Sequence, residues 1–396
     1  MLNGIKIIDL TGVVFGPLAT QIFADYGADV IKIEPPEGDV MRYAGSVQYP
    51  GMGSIFLNLN RGKKSIVLNL KTEEGKDILM RMIDQADIFV HNIRRKSIDQ
   101  LGFSYNSIKK RNPKIIYCSA TGFSEKNSRC DDGAIDEIIQ AAAGIAAINN
   151  NESYYPQLIQ TLIADKVSAL GLACAILAVL YSREKTGQGC FVDVPMYESM
   201  AVFMLLEHLQ GQIHEPPKGD AGYHRVMTGG RRIYRASDGF IAMTPYSKKH
   251  WVSFLTAIGK SDLALDSMIT DARERNVRIH ELYNLIENVA HTKSIEEWER
   301  IAKIIGFPAH GVRSLNSLSL DSELLITGAI EIREQAGVGK IRSLCSPGYF
   351  NGVPSRHPSP APRLGEHTKE ILEKLGINSN EINSLLNKGV ISGVEN

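Results

Sequence analysis

Short β-branched runs alternate with longer helical spacings through the first half of the chain. Apolar runs at residues 5–10, 30–34, 65–70, 88–91, 114–119 and 190–194 have the length and composition of strands. Between them, residues 17–26, 73–85, 135–148, 161–183 and 196–210 carry helical spacing. This alternation predicts an α/β fold, a Rossmann-like, doubly wound parallel sheet with helices on both faces, in a large domain spanning 1–210. Residues 211–230 are polar and rich in Gly and Pro, which suits a linker. From 231 to 330 the pattern changes to a smaller α+β domain. It opens with a hairpin over 232–244, turning at Ser237-Asp238-Gly239, followed by amphipathic helices around Trp251, Leu282 and Trp298. Prolines at 354, 358, 360 and 362 then predict an extended segment, and residues 367–375 a last helix stopped at Gly376. Residues 331–396 would thus return to complete the large domain.

Charge removes some partners from consideration. The 396 residues carry 44 Lys plus Arg against 44 Asp plus Glu, so no net field draws the protein to nucleic acid or to an anionic membrane. Cysteines at 118, 130, 174, 190 and 345 show no CxxC spacing, which suits reduced thiols in a cytoplasmic protein. A strand pattern follows Met1 almost at once, leaving no room for a signal peptide. The uncharged apolar run 170–181 is too short to span a bilayer and reads as a buried helix.

A βαβ opening invites a nicotinamide dinucleotide. However, the first loop, Thr11-Gly12-Val13-Val14-Phe15-Gly16-Pro17, lacks GxGxxG. Its helix start could receive an anion or a carbonyl, or be only a helix start. No HExxH, GxSxG or Walker loop occurs, and His208 with His214 is not a metal spacing, so no metal is expected. Arg94-Arg95-Lys96 and Lys63-Lys64 could meet phosphates or form solvated faces. Asp165 opens the long apolar helix, where an acid either complements the helix dipole or carries chemistry.

Several segments together resemble the class III CoA-transferases (CaiB/BaiF), the group of formyl-CoA transferase, carnitine CoA-transferase and methylacyl-CoA racemase. They are Gly16-Pro17 with Leu-Ala-Thr-Gln, the run 28–35, Asn58-Leu59-Asn60-Arg61-Gly62-Lys63-Lys64-Ser65-Ile66, residues 87–92, Ala164-Asp165, Lys185-Thr186-Gly187-Gln188-Gly189, and the run 361–367. The resemblance implies that Asp165 attacks an acyl-CoA carbonyl. As an ordinary carboxylate it would be fully ionised at neutral pH. The resemblance also implies CoA contacts at Val14, Phe15, Leu68, Asn69, Lys71, Asn92, Ile93 and Arg94, and by their charge Lys71 and Arg94 suit its phosphates. Asp136 is grouped with these and read as an acid supporting the nucleophile's loop. Val13 and the pair Gly229-Gly230 would border the acyl group. An interlocked homodimer and acyl-CoA and carboxylic acid substrates are implied as well.

Departures from the family pattern refine this. Pro35 and Gln100 stand where formyl-CoA transferases place arginines, making Arg42, Lys63 or Arg95 candidate stand-ins. The apolar Val13-Val14-Phe15 disfavours a small dicarboxylate and favours a larger or more apolar acid, each buried methylene contributing roughly 0.8 kcal/mol. A racemase would need a histidine ahead of the acid at 136, where Ile135 stands, leaving only Asp136 or His91 as substitutes. A silent CoA-binding protein remains as an alternative that retention of Asp165 argues against.

Overall fold

The computed structural model describes residues 1–149, 155–227, 231–346, 348–355 and 359–393. They form two compact units, Met1–Leu205 with Ser322–Asn396, and Leu206–Asp321. The boundaries lie at 205/206 and 321/322 rather than at 210 and 330. Helix Ser322–Ile326 packs on strand Ile330–Gln335, which pairs antiparallel with Gly339–Leu344 and so belongs to the first unit.

The first unit is built on six strands: β1 (Lys6–Leu10), β2 (Asp29–Glu34), β3 (Lys64–Val67), β4 (Ile88–His91), β5 (Ile116–Ser119) and β6 (Cys190–Asp193). All pair in parallel in the order β3-β2-β1-β4-β5-β6. Such a sheet must be covered on both faces, and it is. On one side, α1 (Phe15–Asp25) and the long helix Ile163–Thr186 cover Ile7, Val30, Ile88 and Val90. On the other, α2 (Glu73–Ile83) and the C-terminal helices Thr368–Lys374 and Ser379–Asn387 cover Ile8, Ile33 and Phe89. The strand order reverses between β1 and β4, which leaves a crevice outside their carboxyl ends.

The helix expected over 135–148 is interrupted. It forms α3 (Asp136–Ala142) and a short turn Ile145–Ile148, because Gly144 between them adopts φ 84° and breaks the helical ladder. The expected helix over 161–183 is α4 (Ile163–Thr186). By length and composition it could cross a membrane. Here it packs against α1 and α3, with Ala169, Leu172 and Ile176 in the core. The second unit carries the predicted hairpin, Ile233–Arg235 with Phe240–Met243, and a third strand, Ala309–Gly311. Trp251, Phe254, Tyr283 and Trp298 fill its core.

Candidate active site

The loop from Thr11 to Val14 leaves β1 at the crevice and leads into α1. Lys32 and Lys63, buried where an unpaired charge would be prohibitive, hold it from beneath, and Arg42 ties the same layer to the C-terminal segment. Lys32 Nζ donates to Thr11 O at 2.7 Å and pairs with Asp39 at 2.8 Å. Lys63 Nζ pairs with Asp9 at 3.1 Å and also donates to Pro17 O, Thr20 and Asn60. Thr11 donates its hydroxyl to Asp9, which fixes its side chain against Gly16. A Cβ on Gly16 would stand 2.4 Å from the Thr11 side chain, so only glycine fits there. Arg42 forms a bidentate pair with Glu34, at 2.7 Å for both bonds, and reaches Pro362 O of the returning C-terminal segment. Glu34 also accepts from Ser65, whose hydroxyl receives the Gly365 amide. The runs 28–35, 58–64 and 361–367 are thereby parts of one buried ionic scaffold. Lys32 and Glu34, charged residues inside an otherwise apolar strand run, were its signal in the sequence.

This scaffold removes two of the phosphate stand-ins. Arg42 and Lys63 are buried and spent on Glu34 and Asp9, and Arg95 already pairs with Glu125 at 3.3 Å. Lys71 and Arg94 are exposed and make no ion pair among the described residues.

Two cavities open at the crevice. One, of about 570 Å³, is lined by Leu68, Asn69, Lys71, Asn92 and Ile93, five of the expected CoA contacts, together with Pro35 and Pro36. The other, of about 270 Å³, is lined by Val13, Phe15, Arg94, Asp136 and Asp165, and also by Asn92, which borders both. Val14 lies on neither wall, and the Val14 and Phe15 side chains are buried in the core. What this turn presents to Asp165 is the Phe15 amide. Gly229 and Gly230 lie outside the described residues.

Asp165 stands in the first turn of α4, whose N-cap, Leu162, offers no side-chain cap. Asp136 supplies the cap from another helix. Its Oδ2 accepts from the Ala164 amide at 2.8 Å and the Asp165 amide at 3.1 Å, and its Oδ1 accepts from Gln140 at 2.6 Å. Gln140 also donates to the Ile159 and Thr161 carbonyls and accepts from the Ile159 amide. Both Asp136 oxygens are therefore taken up by the first turn of α4 and by Gln140. Gln140 was missed; its i,i+4 spacing from Asp136 on a helix was the available signal.

Burial, then the neighbouring Asp136 and Glu137 charges, push the Asp165 carboxyl up to about 7, against the Phe15 amide and Lys166, which lower it. The expectation of an ordinary, fully ionised carboxylate does not hold. A higher pKa also makes the ionised oxygen more basic and a stronger nucleophile. His91 is not a partner for it. On β4, Ile88 and Val90 face the core that contains Ala164, whereas the His91 ring lies 5.1 Å from Tyr117 and 5.8 Å from Phe89 on the opposite face. Burial holds the His91 imidazole at about 4, neutral at physiological pH.

The profile of CoA-transferase family III matches residues 2–368. The chain belongs to this family. Among relatives, a formyl-CoA:oxalate CoA-transferase of Shigella sonnei is 32% identical over 412 residues, covering 96% of this chain and 97% of its own. The probable fatty acyl-CoA transferase Rv3272 of Mycobacterium tuberculosis is 29% identical over 385 residues, covering 94% and 98%. A crystal structure of Rv3272 superposes with a TM-score of 0.82 at 28% identity, over 94% of this chain and 99% of that one. One of a CaiB/BaiF family protein from Brucella suis gives 0.79 at 28% identity, with the same coverage. The family implies CoA thioester substrates, so the chain is a class III CoA-transferase, and the crevice is the place to look for its chemistry.

Proposed function

We propose that this CoA-transferase moves CoA from an acyl-CoA to a carboxylic acid through covalent intermediates on Asp165. The observation that carries this reading is a carboxylate at a helix start, held by Asp136 below and facing the Phe15 amide, in a cavity that shares Asn92 with a larger cleft. Ionised Asp165 attacks the thioester carbonyl, the carbon–sulfur bond breaks, and CoA leaves as thiolate while a mixed anhydride forms. The thiolate then attacks the aspartyl carbonyl, releasing the donor acid and leaving an aspartyl-CoA thioester. The acceptor carboxylate attacks this thioester, expelling the thiolate and forming a second anhydride. Attack of the thiolate on the acceptor's acyl carbon gives the new acyl-CoA and restores the Asp165 carboxylate. No proton or ATP is consumed, and activation is kept as long as water is excluded.

The larger cleft would take CoA along Leu68, Asn69 and Ile93, with Lys71 and Arg94 as the cations free for its phosphates. Val13, Ala134 and Ile135 give the smaller cavity apolar walls, favouring an apolar acyl group over a dicarboxylate. Ile135 carries no proton, His91 lies across the sheet and both Asp136 oxygens are engaged by the Ala164 and Asp165 amides and Gln140, which disfavours racemisation. A homodimer fits the apolar stripe that α4 leaves exposed at Leu170, Leu177 and Tyr181. Purified Asp165→Ala protein should bind CoA yet fail to exchange it between acids; full exchange activity in that variant overturns the reading.

A further inference from the structure

Val13 adopts φ 70°, in the left-handed region. A β-branched residue there is a genuine outlier, since its Cβ crowds the backbone, and glycine would carry no such cost. Every backbone neighbour of Val13 is nevertheless held. Asn92 closes a ring with Gly12, its Oδ1 accepting from the Gly12 amide at 3.1 Å and its Nδ2 donating to the Gly12 carbonyl at 2.8 Å. Asp39 Oδ1 accepts from the Val13 amide at 3.4 Å, and its other oxygen is fixed by Lys32. One step further on, the Val14 carbonyl accepts from Leu18 and begins α1, whose first amide is that of Phe15. The Val13 side chain, 41% exposed, faces the Asp165 cavity. A strained residue retained at a cavity wall and clamped from outside is the arrangement expected where conformation serves a site.

We propose that Asn92, seconded by Asp39, is a positioning residue that holds Val13 in its left-handed conformation and so aims the Phe15 amide at the Asp165 carboxylate. This rests on the reading of Asp165 as nucleophile, and it gives Asn92 a role beyond bordering the CoA cleft. Left-handed strain of this size biases an unclamped valine against the conformer by roughly 5- to 150-fold. In Asn92→Ala the loop relaxes and the amide swings away, whereas a glycine at 13 repopulates the conformer without the clamp.

The experiment compares the unaltered protein, Asn92→Ala, Val13→Gly and the double variant in two ways: by crystallography of the loop, and by steady-state kinetics with butyryl-CoA as donor and hexanoate as acceptor. The expected result is loss of the left-handed φ at Val13 in Asn92→Ala and a fall in kcat of about 5- to 150-fold. The double variant regains the loop geometry and most of the kcat, but none of any rise in KM. A residue 13 that stays left-handed in Asn92→Ala overturns the proposal, as does a defect confined to KM or a double variant with no recovery. If Asn92→Ala does not fold, Asn92→Asp, isosteric but anionic and unable to donate to the Gly12 carbonyl, takes its place in the crystallographic comparison. The crystallographic arm needs no substrate, and failure of the nucleophile reading would appear separately, as full activity in Asp165→Ala.

Discussion

Replacing Asp165 by Asn tests the electrostatics of the site without reference to any substrate. The carboxyl is moved from 3.8 to about 7 chiefly by burial, with Asp136 and Glu137 adding to it. Because its folded-state pKa is raised, the folded chain holds this proton more tightly than the unfolded chain does. The resulting stability is fully present below about pH 4 and is lost as pH rises through 7. A shift of about three units at roughly 1.4 kcal/mol each sets a ceiling of about 4 kcal/mol on the cost of ionised Asp165 at pH 8. Asparagine is isosteric, uncharged at every pH, and keeps an oxygen for the Phe15 amide. Asp165→Asn should therefore be more stable than the unaltered protein at pH 8, by up to about 4 kcal/mol, and close to it at pH 4. Urea unfolding of both proteins at the two pH values reads the difference. A gain of equal size at both, or a loss at pH 8, would refute the argument that burial of a charge at this position opposes folding.

Three other perturbations probe the surrounding structure. Asp136→Asn removes the neighbouring negative charge, so the acidic limb of the kcat/KM–pH profile, which rises as Asp165 ionises, should move to lower pH; an unmoved limb would mean that Asp136 acts on Asp165 by geometry alone. Lys63→Met leaves Asp9 buried without its nearest cation and should destabilise the protein by about 3–5 kcal/mol in urea unfolding, with Asp9→Leu added in the same chain restoring part of it. Lys71→Ala should raise KM for acyl-CoA with kcat kept, and should leave the KM of an acyl-pantetheine thioester lacking the phosphates unchanged; equal effects on both would remove Lys71 from phosphate recognition.

Much of this architecture was legible in the residues. The six strand runs all form strands of one parallel sheet, because β-branched segments buried on both faces carry an unbroken apolar signature. Their order follows from connection rules only once the pairing is seen. Boundaries moved by a few residues at Lys64–Val67 and Ile116–Ser119, where the ladder ends and apolar composition continues. Helix Ser379–Asn387 was not among the expected elements; its Asn378–Glu381 capping box was the available signal. At the site, Asp165 stood out through its place on an apolar helix, and the grouping of Leu68, Asn69, Lys71, Asn92 and Ile93 came from resemblance rather than from spacing. The roles of Asp39, Lys32 and Gln140 depend on contacts across gaps that no local pattern encodes. The same holds for the elevated Asp165 pKa, which arises from burial and from an acid 29 residues away.

The proposed reaction requires that Asp165 become acylated. Incubating the protein with a panel of acyl-CoAs and trapping the mixture for peptide mass spectrometry tests it directly. An acyl or CoA adduct is expected on the peptide carrying Asp165, removable by hydroxylamine and accompanied by exchange of CoA between acids. Exchange with no adduct on that peptide, or an adduct that survives in Asp165→Ala, would contradict it. Deuterium entering an acyl α-carbon without exchange would show that the chemistry is racemisation instead.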